Sequence, residues 1–181
     1  FDAQLTNKVS ATDIVKIEGN AKIYAKHVPI VYSITYNLND GENDPANPAS
    51  FTVVTPTITL KPAIKVGYTF GGWYTESAFT NAVTKIPLGY HEAVTLYAKF
   101  TAIEYDITYN LDGGTNNPLN PDTYTILDAV TFEDASKDGY TFDSWHNAVT
   151  LNSPVTGWIA GSIGDYEVWA KYLENFTVTF N

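Results

Sequence analysis

Three groups of side chains in this sequence have the chemistry to build a site: the histidines, a set of alternating carboxylates, and the tryptophans. The histidines are His27, His91 and His146. An imidazole serves as base or metal ligand only with partners in reach. None of the three has a His or Cys nearby in sequence, and Cys is absent altogether. Ser/His/Asp sets can be assembled on paper from any chain this long. No nucleophile-elbow context supports one here. Asp40, Glu42 and Asp44 alternate in a Gly-containing loop, and alternating carboxylate oxygens suit Ca²⁺. The corresponding later loop has only Asp112 before Gly113-Gly114-Thr115. The three acids are thus the calcium candidates, with a solvated turn the better reading. No catalytic residue and no cofactor is expected.

The tryptophans are read against a repeat that runs through the chain. Ile34-Thr35-Tyr36-Asn37-Leu38 returns as Ile107-Thr108-Tyr109-Asn110-Leu111, and Gly67-Tyr68-Thr69-Phe70-Gly71-Gly72-Trp73 as Gly139-Tyr140-Thr141-Phe142-Asp143-Ser144-Trp145. Leu96-Tyr97-Ala98-Lys99-Phe100 returns as Val168-Trp169-Ala170-Lys171-Tyr172. A tandem array spans distance or multiplies contacts more often than it makes one active site. Trp73 and Trp145 are repeat-equivalent, as core positions are. Trp169 stands where Tyr97 and Tyr24 do. Trp158 precedes Ile159, as Lys85 precedes Ile86 and Lys16 precedes Ile17. On that alignment Trp158 takes a lysine position, is partly exposed, and is the candidate contact to a neighbouring domain or partner.

The array is ragged at both ends. Ile23-Tyr24-Ala25-Lys26 matches the closing block, and Leu5-Thr6-Asn7-Lys8-Val9-Ser10 matches Phe79-Thr80-Asn81-Ala82-Val83-Thr84. The expected division is the back of one repeat (1–30), whole repeats at 31–102 and 103–173, and the first strand of another at 174–181. An excerpt of a longer protein reads this way. Phe176, Val178 and Phe180 alternate in that last strand. With no partner in their own repeat, they are the candidate inter-chain strand.

Composition narrows the function classes. Net charge is −10, and all ten basic residues are Lys. Without Arg there is no bidentate fork for phosphate or guanine, and an acidic surface repels the nucleic-acid backbone. Nucleic acid is therefore not an expected partner. No run reaches the ~18 apolar residues of a membrane span, so no membrane insertion is expected in this segment. Repeats of about 70 residues are marginal alone. Aromatic content of 14% supplies large buried areas.

The elements that must position these residues are strands. Ile34, Tyr36 and Leu38 alternate with Thr35 and Asn37; Val94, Leu96, Ala98 and Phe100 alternate with Tyr97 and Lys99. Thr52-Val53-Val54 and 57–60 are β-branched strand candidates. Loops dense in Gly, Pro, Asn and Asp occupy 39–48 and 112–121. The 61–67 segment is a candidate for a short helix or turn. Ala102-Ile103-Glu104 is a short linker.

A strand ending in Tyr-Asn, a Gly-rich loop, Gly-Tyr-Thr-Phe-x-x-Trp, then Leu-Tyr-Ala-Lys-aromatic resembles the Listeria–Bacteroides repeat, or internalin B-type repeat. The departures in the second copy are Asp143-Ser144 for Gly71-Gly72 and His146 for Tyr74. The resemblance implies a mostly β or α+β fold, with small β-grasp-like domains in an elongated array. It also implies an extracellular place at the bacterial surface or cell wall, in adhesins of Gram-positive type, and a non-catalytic stalk role beside neighbouring repeats. Two further functions are weighed. One is a module binding glycan or host-surface protein through Trp158 and the 40–48 loop. The other is a filament subunit that self-associates by strand exchange.

Overall fold

The structure, a computed structural model, describes residues 24–176. The repeat matches at Leu5-Thr6-Asn7-Lys8-Val9-Ser10, Lys16-Ile17 and Ile23 lie outside the described residues, as do Val178 and Phe180 of the candidate inter-chain strand. Phe176 is described; it is exposed and lies two residues after Glu174, where the last described strand ends.

The first repeat contains β1 (Val31–Asn37), β2 (Ser50–Thr52), β3 (Ile58–Thr59), β4 (Tyr68–Tyr74), β5 (Ala82–Val83), β6 (Lys85–Ile86) and β7 (Val94–Ala102). The second contains β8 (Glu104–Asn110), β9 (Thr123–Thr125), β10 (Val130–Thr131), β11 (Tyr140–His146), β12 (Pro154–Val155), β13 (Gly157–Trp158) and β14 (Tyr166–Glu174). Each repeat forms a five-stranded sheet, in order β2-β1-β7-β4-β5 and β9-β8-β14-β11-β12, plus a two-stranded ribbon, β3-β6 and β10-β13. The opening and closing strands of each repeat are central, adjacent and parallel; every other pairing is antiparallel.

The described residues form an all-β structure, and the short helix considered for 61–67 is not there. That stretch is extended and irregular backbone that ends in the turn considered as its alternative, at Val66-Gly67, and it is tied to the Gly-rich loop by a two-way bridge between Glu42 and Ile64. Bonding to a neighbouring loop satisfies these amides without a helix.

Alternation puts one sheet face in the core. In β7, Leu96 and Ala98 are fully buried, while Tyr97 and Lys99 face away. Against that face pack Ile86 from the ribbon and Leu60 and Ala63 from the segment after β3, joined by Ile34, Phe51 and Trp73. The second core repeats the plan with Ile107, Tyr124, Val130, Phe132, Ala135, Trp145, Val168 and Ala170.

The spacing of Phe70 and Trp73 needs a device. Residues three apart in a regular strand face opposite sides. The register of β4 on β7 slips between Phe70 and Gly72, leaving Gly71 as the extra residue of a bulge, and β11 does the same between Phe142 and Ser144. The slip brings both rings to one face, with centroids 5.5 Å apart for Phe70–Trp73 and 5.4 Å for Phe142–Trp145. At the bulge, Gly71 lies against the Lys99 stem; Asp143 instead forms a 2.8 Å ion pair with Lys171.

Candidate functional site

The residues with chemical potential are scattered. His27 and His91 are exposed, in different parts of the first repeat's surroundings. His146 is buried, with Nε2 2.9 Å from Ser144 Oγ, and Ser144 donates at 3.0 Å to Asp143 Oδ2. This has the membership of a catalytic triad in the wrong order. A nucleophilic serine needs the imidazole between itself and the carboxylate, to take the serine proton. Here serine stands in the middle and its proton goes to Asp143. The Lys171 ammonium and Ser144 hydroxyl hold the Asp143 carboxyl below its ordinary range, so it stays an acceptor.

The calcium candidates do not converge. Asp44 Oδ1 accepts the Ala46 amide at 2.8 Å in a local turn, Glu42 is fastened by its backbone to Ile64, and Asp40 adopts a left-handed conformation with φ 63°. Among the described residues no group of three or more His, Cys, Asp or Glu is placed to hold a metal ion. Each of the three is thus engaged locally, in keeping with the solvated turn preferred over a calcium set for Asp40, Glu42 and Asp44.

The alignment of Trp158 needs correction. In the ribbons Val130 pairs with Trp158, as Ile58 pairs with Ile86; Gly157 takes the place of Lys85. Trp158 is therefore the counterpart of the buried Ile86, and a one-residue slip in a strand exchanges its two faces. The ring stacks on Tyr166 at 4.3 Å and 16°, and lies edge-on to Phe132 at 5.1 Å. Its Nε1 is buried without a partner. The side chain is half-buried: it keeps the partial exposure expected of it, while packing against the core of the second repeat.

What recurs between the repeats is a set of internal bonds that reading by motif misses. Asn47 is buried; its Nδ2 donates to Asn43 Oδ1 at 2.8 Å and to Lys61 O at 3.0 Å, and its Oδ1 accepts from Lys61 N at 2.8 Å. Asn120 does the same with Asn116 and Glu133, at 2.7, 3.0 and 2.7 Å. Trp73 Nε1 donates to the same Lys61 carbonyl, and Trp145 Nε1 to that of Glu133. Tyr36 donates to Pro48 O, and Tyr109 to Pro121 O. Burial, with the Asp122 charge behind it, pushes the Tyr109 hydroxyl up to about 12, so it remains a proton donor. The signal for this framework is the Asn-Pro dipeptide shared by both loops.

Residues 32–99 and 105–171 each match the Listeria–Bacteroides repeat domain. The chain belongs to the Listeria–Bacteroides repeat family. The recurring framework is thus the part common to both copies of a family unit, and the divergent surface is not. The chain is similar to Internalin H of Listeria monocytogenes, at 29% identity over 80% of this chain and 25% of that protein. It is also similar to two proteins of Evansella cellulosilytica. One, described as a Gly-rich membrane protein, is 27% identical over 91% of this chain and 19% of its own length. The other, described as a membrane protein, is 28% identical over 81% and 22%. The chain spans a quarter or less of these relatives. No solved structure matches it. Among the described residues no helix is long and apolar enough to cross a membrane.

Two surface features separate one repeat from the other. Beside Trp169, a groove of about 410 Å³ is lined by Asn110, Asp112, Val149 and Leu151. In the first repeat, Glu76 accepts from the Thr75 and Thr80 hydroxyls and the Thr80 and Asn81 amides. Those bonds, led by the Thr75 hydroxyl, lower its carboxyl from 4.5 to about 2. A depressed carboxyl contributes stability that is fully present above its ordinary value and is lost as pH falls through the folded one. Acidification from pH ~4.5 towards ~2 is expected to loosen the 75–81 turn. Ala148 occupies the Glu76 position in the second repeat, so that turn has no such dependence. The amide shifts of Thr80 and Asn81 should titrate with a midpoint near 2; a midpoint above 4 contradicts the assignment.

Proposed function

We propose that this chain is a non-catalytic spacer, part of the stalk of a bacterial cell-envelope protein, with its adhesive or anchoring parts elsewhere in the parent protein. One observation carries this reading. The polar groups common to both repeats, Asn47/Asn120, Tyr36/Tyr109 and Trp73/Trp145, are bonded within their own repeat. A recognition surface that recurred with the repeat would instead leave its shared polar groups facing outwards. The link from β7 to β8 is the single residue Ile103, which suits a stalk that fixes the spacing between units. Two of the relatives are described as membrane proteins, which supports a cell-envelope setting; the extracellular, cell-wall place is part of the proposal. Light scattering with small-angle X-ray scattering over a concentration series tests the reading. One chain's mass at every concentration, with an elongated form, is expected. Growth with concentration would favour the self-associating filament instead.

A second reading, a module that binds glycan, is favoured by the Trp169 groove. An indole edged by an amide and a carboxylate suits the apolar face and hydroxyls of a pyranose ring. On this reading a glycan panel gives saturable binding that Trp169→Ala reduces at least tenfold while Trp158→Phe retains it. A panel without binding excludes the groove as a sugar site.

A further inference from the structure

The two repeats carry one glycine at the same place with opposite surroundings. Gly67 and Gly139 each precede the Tyr-Thr-Phe strand, and their φ angles are +77° and +80°. Each carbonyl accepts an amide from just beyond the closing strand of its own repeat: Ile103 N to Gly67 O at 2.9 Å, Asn175 N to Gly139 O at 3.1 Å. Yet Gly67 is buried and Gly139 is exposed. The difference is Ile126, from the second repeat. A Cβ at Gly67 would lie 2.6 Å from Ile126 Cδ1, 3.1 Å from its Cβ and 3.3 Å from its Cγ1, whereas nothing described lies within 4 Å of one at Gly139. Ile126 also lines a groove of about 380 Å³ with Ile64, Val66 and Tyr68 of the first repeat. The position equivalent to Ile126 in the first repeat, just after β2, is Val53, again β-branched.

We propose that Gly67 is a docking seat for Ile126, and that this knob fixes the orientation of one repeat on the next. The partner such a seat fits is a neighbouring repeat with a branched aliphatic side chain just after its second strand. Glycine serves twice here. It accepts the positive φ, and its missing side chain leaves the space the knob fills. Without the contact, a one-residue link constrains spacing but not rotation about φ and ψ. Ile64 and Val66, both still largely exposed, give the groove two apolar walls, and Asp40, Glu42 and Lys65 complete its lining. At Gly139 the residues matching Ile64 and Val66 are Ser136 and Asp138, so that seat lacks the two aliphatic walls.

The matched φ angles supply the control. Gly139→Ala bears backbone strain alone and is expected to lower the unfolding midpoint of its repeat by about 4–8 °C. Gly67→Ala bears similar strain and the clash with Ile126, and its shift is expected to be at least twice as large. In the double variant Gly67→Ala/Ile126→Ala the shift should fall back to the Gly139→Ala size. Residual dipolar couplings read the orientation directly. One alignment tensor is expected to describe both repeats in the unsubstituted chain and in Leu127→Ala, an exposed neighbour. Two are expected in Ile126→Ala, with the amide dispersion of each repeat retained. Equal shifts for Gly67→Ala and Gly139→Ala, two tensors in the unsubstituted chain, or one shared tensor in Ile126→Ala would each overturn the proposal. The inference rests on the spacer reading but fails separately from it. Freely hinged repeats of one chain's mass leave a flexible spacer, whereas concentration-dependent growth removes the spacer and leaves the Gly67–Ile126 contact untouched.

Discussion

Trp145→Ala is expected to unfold the second repeat while the first keeps its dispersed amide spectrum. The indole is buried and lies 5.4 Å from Tyr109, 5.9 Å from Phe132 and 5.4 Å from Phe142, ring centre to ring centre. Truncation opens a cavity among rings held in place by separate strands, where collapse is limited; such changes lose about 3–5 kcal/mol. A domain of about 70 residues has only ~4–10 kcal/mol in total. The indole also donates at 2.9 Å to Glu133 O. Trp145→Phe keeps most of the packing and loses that bond, so it should cost about 1 kcal/mol and leave a folded repeat. Thermal unfolding followed by NMR, repeat by repeat, checks both variants. A Trp145→Ala repeat that melts within about 4 °C of the parent contradicts the central place given to this ring.

Asn120→Ala is the second large effect, about 3 kcal/mol, and Asn47→Ala should match it in the first repeat. The amide side chain acts as a piece of backbone. It gives one proton to Glu133 O and takes one from Glu133 N, closing the Gly-rich loop onto the core as a strand partner would. Alanine leaves the Glu133 amide without its acceptor and frees the loop at Asn116. Asn120→Asp keeps the acceptor but replaces the donor with a charge aimed at a carbonyl, and is expected to be no better than alanine. Urea unfolding should show a lower midpoint with an unchanged slope, the sign of lost stability without a change in the surface exposed. A midpoint unmoved by Asn120→Ala would show that water replaces the amide at no cost.

Much of this fold is legible in the sequence because alternation in a half-buried strand is a strong signal. Period 2 alone sets Leu96, Ala98, Val168 and Ala170 on the core face, and the first two are the most buried of the core residues. Of the short helix or turn expected at 61–67, the turn is found at Val66-Gly67 and the helix is not, because the segment has no periodicity of its own and bonds to a loop distant in sequence. Identity at the neighbouring isoleucine misaligns Trp158. Counting from the core tryptophan places Ile86 and Trp158 at the same interval from Trp73 and Trp145, and the interval governs, since the hairpin between them has one length. The acidic run at Asp40, Glu42 and Asp44 shows the limit of reading ligands from spacing. Alternating side chains converge only on a backbone curved around them, and spacing alone does not supply that curvature.

The parallel pairing of the opening and closing strands has a mechanical meaning. The chain enters each repeat at the start of one strand, β1 or β8, and leaves from the end of its parallel neighbour, β7 or β14. Tension along the array therefore draws the two strands past each other in shear. All hydrogen bonds of the pair bear the load together, instead of parting one by one as they do when a hairpin is unzipped from its open end. In the stalk proposed above, a pull along the array would therefore fall on this parallel seam in each repeat.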